Sequence, residues 1–228
     1  MSKKKKYNQK PAWRRYAPVA LLSLASLAGL VAVVVGAGSD PVALTVGTTI
    51  PGGASSSPAE AQPVTVTGTP LPVPKSGAPV TDITGTMIPT ISGFSFDGSP
   101  MTIKATGRPQ LIVVMAHWCS HCNAEVPRIL AAYAKGKFPS DVQLVGISSS
   151  ADPAAVHYPP SEWLSKSMTW PFPVLADSPD DEAATALGLS GFPYLLLVDA
   201  EGKVIARSSG ELSEENLVTF VGLAGVLS

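Results

Sequence analysis

The sequence predicts an α/β domain with a mixed central sheet flanked by helices, preceded by one N-terminal transmembrane helix and a disordered linker. Three observations predict it. Apolar runs of strand length alternate with helical stretches from about residue 94 onward, the pattern of strands covered by helices. The last two runs, 194–199 (YLLLVD) and 203–207, stand on either side of Glu201-Gly202 and read as a hairpin, which puts an antiparallel pair into the sheet. Ahead of all this lies an uncharged run of 21 residues, 17–37, the length a bilayer requires.

Of 228 residues, the first 38 carry seven Lys and Arg (Lys3 to Lys6, Lys10, Arg14, Arg15) and no acid. From Ser39 on, nine basic residues face 17 acidic ones, a net −8. Such an acidic body argues against nucleic acid as a partner, because phosphate contacts need Lys and Arg. Residues 1–16 form a basic cytoplasmic segment and 17–38 a membrane anchor, roughly 31 Å long as a helix. The positive-inside rule then places the C-terminal domain outside the cytoplasm. A signal peptide cut near Ala37 is the alternative, which would make the protein secreted; the long basic region and the long apolar run favour the anchor. Residues 39–80 hold 29 Pro, Gly, Ser, Thr or Ala among 42 and no aromatic residue. This composition predicts a disordered tether, because little apolar surface is available to offset the entropy of ordering.

The folded domain is expected over 81–228. Short strands at 94–96 and 101–104 flank an Asp97-Gly98 turn. Residues 111–116 (LIVVMA) form a strand covered on both faces, followed by a helix to about Lys135, with Gly136 as its stop. A second buried strand is expected at 142–148 and a short helix at 162–167. Ser178, Pro179, Asp180 and Asp181 read as a helix start, with Gly188 as its end. Ser213 opens a final helix.

The only cysteines, Cys119 and Cys122, lie where the strand at 111–116 meets the helix. A sulfur at a helix N-terminus faces unpaired N–H groups and the positive dipole end, which stabilise a thiolate. The second cysteine, one turn on, is placed to open a mixed disulfide. A merely structural disulfide is a poor rival, since a loop of about four residues gives only about 2 kcal/mol of stabilisation against nearly 5 for a loop of about 100. Metal binding is another: Cys119, Cys122, His117 and His121 are suitable ligand types, but a zinc site usually takes a second pair from elsewhere. Covalent haem attachment requires His after the second cysteine, and Asn123 stands there.

The stretch Trp118-Cys119-Ser120-His121-Cys122, with Glu125 and Pro127 after it and Gly191-Phe192-Pro193 further on, resembles the thioredoxin superfamily. From about Ile91 to the end the chain is similar to the TlpA/ResA-like branch of membrane-anchored extracytoplasmic thiol–disulfide oxidoreductases. The resemblance implies a thioredoxin fold and an enzyme of disulfide exchange on exported proteins. Cys119 would be the nucleophile and Cys122 the resolving thiol. Pro193 would be a cis-proline beside the pair, presenting the backbone of Phe192 to a substrate chain. Trp118 would cover the disulfide, Pro127 would kink the helix, and Ser120 and His121 would tune the potential, with His117 either adding to this or sitting at the surface. The implied redox group is the Cys119–Cys122 disulfide itself, with no other cofactor and no metal. The implied partners are exported protein thiols or disulfides and a membrane redox partner.

Two departures bear on proton transfer. Val113 stands where cytoplasmic thioredoxins bury an acid, and the stretch 146–152 contains no Glu, leaving Asp152 as the substitute. The rival functions are an extracytoplasmic copper or zinc module of related fold, and a peroxidase, which would need Thr or Ser where Ala116 stands. The cysteine pair is compatible with either an oxidising or a reducing direction.

Overall fold

The computed structural model describes residues 59–75 and 77–226. The basic segment 1–16, the anchor at 17–38 and the first part of the linker lie outside them. Among the described residues no helix is long and apolar enough to cross a membrane.

The strands are β1 (Thr65–Thr67), β2 (Thr90–Phe94), β3 (Pro100–Ile103), β4 (Gln110–Met115), β5 (Gln143–Ser148), β6 (Val174–Ala176), β7 (Tyr194–Val198) and β8 (Val204–Ser209). The helices are α1 (Ser120–Ala134), α2 (Pro160–Glu162), which continues into a π-helical turn at Trp163–Ser167, α3 (Glu182–Ala186) and α4 (Glu214–Gly222). The sheet runs β1-β2-β6-β5-β4-β7-β8, with β3 paired to β2. β4 pairs parallel with β5 and antiparallel with β7, so the sheet is mixed. Every residue of β4 and of β7 is buried, because apolar side chains leave both faces of these central strands into two separate cores. Met115 and Leu195 face the core built with α1 and α4; Ile112, Val114 and Leu196 face the other, against α3. The α/β reading and the terminal hairpin and helix therefore hold.

Several expected elements are displaced. The strand expected at 94–96 ends at Phe94, and the stretch at 100–103 pairs back onto it. The helix expected from Ser178 begins only at Glu182. Its first N–H groups are nonetheless satisfied upstream: the Asp177 carboxylate accepts from Ala183 and Ala184, and Ser178 Oγ accepts from Glu182. The N-cap position itself, Asp181, has φ of 55° and makes no side-chain cap.

The disordered tether expected over 39–80 does not extend through 59–75, so ordered structure begins well before residue 81. Thr65–Thr67 pair antiparallel with β2. Leu71 is 3% exposed, and its N–H donates to Ala186 O at 2.8 Å. Gly188, at φ of +77°, accommodates this crossing: a Cβ there would stand 2.7 Å from Pro72 O. The segment is too poor in apolar residues to fold by itself, but it does not have to, since it adds to a core that the domain already provides. The following stretch covers the outer edge of β8, with Arg207 N donating to Val80 O, Gly85 N to Val204 O and Thr84 Oγ1 to Ile205 O. This covering leaves no bare edge there for another chain to pair with.

Candidate active site

The site forms where β4 ends and α1 begins. Cys119 is the N-cap of α1, with φ −75° and ψ 117°. Its Sγ accepts the Cys122 N–H at 3.3 Å and lies 3.7 Å from Phe192 O. Sulfur thus takes the place that an oxygen of Ser or Asp usually holds at a helix start. Cys119 is 7% exposed and Cys122 fully buried, one helical turn on, and both are free thiols. Burial pushes the Cys122 thiol far above the ordinary range, and negative charge at Cys119 and Glu125 adds to the effect. The peptide bond before Pro193 is cis, and Pro193 is buried.

Of the other residues singled out, Trp118 is 39% exposed, donates Nε1–H to Ser150 O at 2.8 Å and stands edge-on to Phe192 with ring centroids 5.7 Å apart. Ser120 is exposed at the first turn of α1. His121 is also exposed and pairs through Nδ1 with Glu211 Oε1 at 2.6 Å. Pro127 lies on the exposed side of α1.

His117 is not at the surface. It is fully buried, its Nε2 accepts the Asp152 N–H at 3.1 Å, and Nδ1 lies 2.7 Å from Val156 O. Because Nε2 must accept, the proton sits on Nδ1 and donates to Val156. The ring is thereby a strut for the loop after β5. Both of its nitrogens are occupied, so it offers no lone pair to a metal. Among the described residues no group of three or more His, Cys, Asp and Glu stands ready to hold a metal ion.

The acid beside the pair is neither at 113 nor at 152. Val113 is in the core, and Asp152 is exposed, with Oδ1 taking the Ala154 N–H. It is Glu125, fully buried three residues after Cys122 on the same helix face. Arg128 and the Leu212 N–H both bond its Oε2, whereas Oε1 has no partner. Burial raises its carboxyl above the usual range, against the opposing pull of the Leu212 N–H and Arg128.

A family model described as Redoxin matches residues 75–226. The chain belongs to the Redoxin family. Within curated proteins it is 23% identical over 109 residues to the thiol:disulfide interchange protein HelX of Rhodobacter capsulatus, covering 48% of this chain and 56% of HelX. It is 28% identical over 106 residues to the thiol-disulfide oxidoreductase ResA of Bacillus subtilis, covering 46% of this chain and 55% of ResA. The chain thus spans little more than half the length of these curated relatives. Among solved structures, a thiol:disulfide interchange protein of the thioredoxin family from Chlorobium tepidum matches with a TM-score of 0.50 at 23% identity, covering 61% of this chain and 96% of that one. That likeness carries the fold: this Redoxin chain is a thioredoxin-like α/β protein with a mixed sheet.

Proposed function

We propose that the protein is a thiol–disulfide oxidoreductase that exchanges disulfides with exported proteins, with Cys119 as the nucleophile and Cys122 as the resolving thiol. The observation that carries the reading is the Cys119 sulfur seated on the N-terminus of α1, with Cys122 buried one turn behind it. The names of HelX and ResA favour the same chemistry.

In the reducing direction the Cys119 thiolate attacks a client disulfide. One client sulfur leaves as a thiolate, and a mixed disulfide joins Cys119 to the other. Cys122 then loses its proton to the Glu125 carboxylate and attacks Cys119 Sγ. The second client sulfur departs, leaving the client reduced by two electrons and the Cys119–Cys122 disulfide formed. Oxidation of a client dithiol is the same path reversed. The cysteine pair is itself the redox group, so the reaction needs no other cofactor, and turnover requires a redox partner at the membrane to reset the pair. Trp118 and Phe192 flank the sulfur as the client-facing surface, and Ser120 and His121, between the cysteines, tune the potential. The anchor at 17–38 would hold the domain on the extracytoplasmic side.

Insulin reduction and equilibration with glutathione test the reading. The wild-type chain exchanges, Cys119→Ser abolishes exchange, and Cys122→Ser accumulates client bound to Cys119. A potential near about −120 mV identifies an oxidant and one near about −270 mV a reductant. A wild-type chain that exchanges with neither, and a Cys122→Ser chain that captures no thiol partner, would sink it.

A further inference from the structure

Asn123 directly follows Cys122 and has no part in the exchange above. Its Nδ2 donates to the carbonyl oxygens of Cys119 at 2.9 Å and His117 at 3.3 Å, and its Oδ1 accepts the indole N–H of Trp163 at 2.9 Å. A side-chain amide has two N–H donors and an acceptor, and this position uses both kinds at once. Aspartate could accept the indole proton but not donate; lysine or arginine could donate but not accept; serine offers a single donor on a shorter arm. A side-chain amide therefore meets all three contacts at once.

The anchor for these bonds is a buried side chain. Trp163 is 2% exposed and opens the π-helical turn, a form that recurs at functional sites. Just before it, Glu60 binds the N–H and the hydroxyl of Ser161 at 2.8 and 2.6 Å. The carbonyls on either side of Trp118, those of His117 and Cys119, are thus tied to a buried ring on a separate element. Rotation of the Cys119 peptide would release its carbonyl and also carry Sγ away from the Cys122 N–H.

We propose that Asn123 is a positioning residue for disulfide exchange, holding the backbone at Cys119 so that its sulfur stays on the N-terminus of α1, with Trp163 as its anchor. The inference rests on the exchange activity proposed above. Because the helix N-terminus stabilises the thiolate of the reduced form, loosening this hold favours the disulfide and lowers the potential.

The test uses the full chain. Asn123→Ala shifts the equilibrium with glutathione about tenfold toward the disulfide form, equivalent to a potential about 30 mV lower. The kcat for insulin reduction falls, and KM stays within about twofold because Trp118 keeps its bond to Ser150 O and its edge contact with Phe192. Asn123→Gln, with the same groups on a longer arm, recovers part of the loss. Trp163→Phe removes the indole N–H and moves the potential the same way by less. The double variant Asn123→Ala/Trp163→Phe shows no more than Asn123→Ala alone, since both act through one bond. Wild-type potential and kcat in Asn123→Ala, even with a lowered melting temperature, overturn the proposal and leave a structural residue. If Asn123→Ala does not fold, Trp163→Phe decides by the same potential. Failure of the wild-type chain to exchange with glutathione counts instead against the exchange reading. The alkylation rate of Cys119, slower in Asn123→Ala than in wild type if positioning holds and equal if it does not, then judges the inference separately.

Discussion

At the scale of single residues, the chemistry depends on how a buried thiol loses its proton. Cys122 is fully buried and its thiol is pushed up, so solvent cannot readily accept the proton at neutral pH. Glu125 stands one turn along with an unpaired Oε1, and its own raised carboxyl brings donor and acceptor closer in proton affinity. Glu125→Gln keeps the shape and a carbonyl for Arg128 but cannot take a proton. The expected result is a mixed disulfide at Cys119 that resolves on the order of 100-fold more slowly, the lower range of general-base catalysis. Acid-quenched alkylation time courses measure it, and an unchanged resolution rate rules out Glu125 as the acceptor. This residue is legible in the sequence by spacing alone, three positions after Cys122 and three before Arg128. A search for the acid on the strand before the cysteines, at Val113, or after the next strand, at Asp152, passes over it, because a charge inside a helix ordinarily marks a solvated face. His117 misleads in the same way: nothing local in the sequence marks a histidine whose two nitrogens are taken by the backbone of a loop 35 and 39 residues on.

At the scale of elements, what is legible in the sequence is whatever the chain dictates locally. The β4–α1 junction, the stop at Gly136, the hairpin around Gly202 and the Ser213 cap each follow from adjacent residues. What is not legible there is whatever depends on distant partners. β6 is three residues long and is recognised only by its pairing with β5 and β2. The helix expected from Ser178 starts late because Asp177, directly after β6, caps it from outside the usual position. Composition conceals β1, although Val64, Thr65, Val66 and Thr67 alternate inward and outward as strand residues do. Whether 59–75 is held or free is decided by comparing two apolar residues two positions apart. Leu71 is 3% exposed and Val73 is 60% exposed. Leu71→Ala should destabilise the domain by about 2–5 kcal/mol and Val73→Ala by no more than about 0.5 kcal/mol. Urea unfolding measures both, and equal small effects would show the segment to be unpacked in solution.

At the scale of the whole molecule, carboxyl groups displaced in opposite directions shape how stability varies with pH. Glu125 and Asp177 are raised, chiefly by burial. Between the ordinary carboxyl range and the raised value, the folded chain retains a proton that the unfolded chain has lost. Their contribution to stability is therefore complete below the unfolded pKa, about 3.9 for Asp and 4.3 for Glu, and is lost as pH rises through the folded value. Asp82 behaves oppositely. Its pairing with Arg207, which is itself buried and also bonds Pro72 O, holds its carboxyl below the usual range. That contribution is present above about pH 3.9 and is lost as pH falls through the folded value. Taking each variant against wild type isolates the group, because the remaining titrations cancel for well-separated sites. The stability of wild type relative to Glu125→Gln should decline as pH rises from about 4.3 toward 7. Relative to Asp82→Asn it should hold constant over that span and decline only on acidification below about pH 3.9. Urea midpoints at several pH values measure both differences. A Glu125→Gln difference that is flat from pH 4 to pH 7 would mean that the carboxyl titrates alike in the folded and unfolded chains, and the proton-acceptor role given to Glu125 would lose its physical basis.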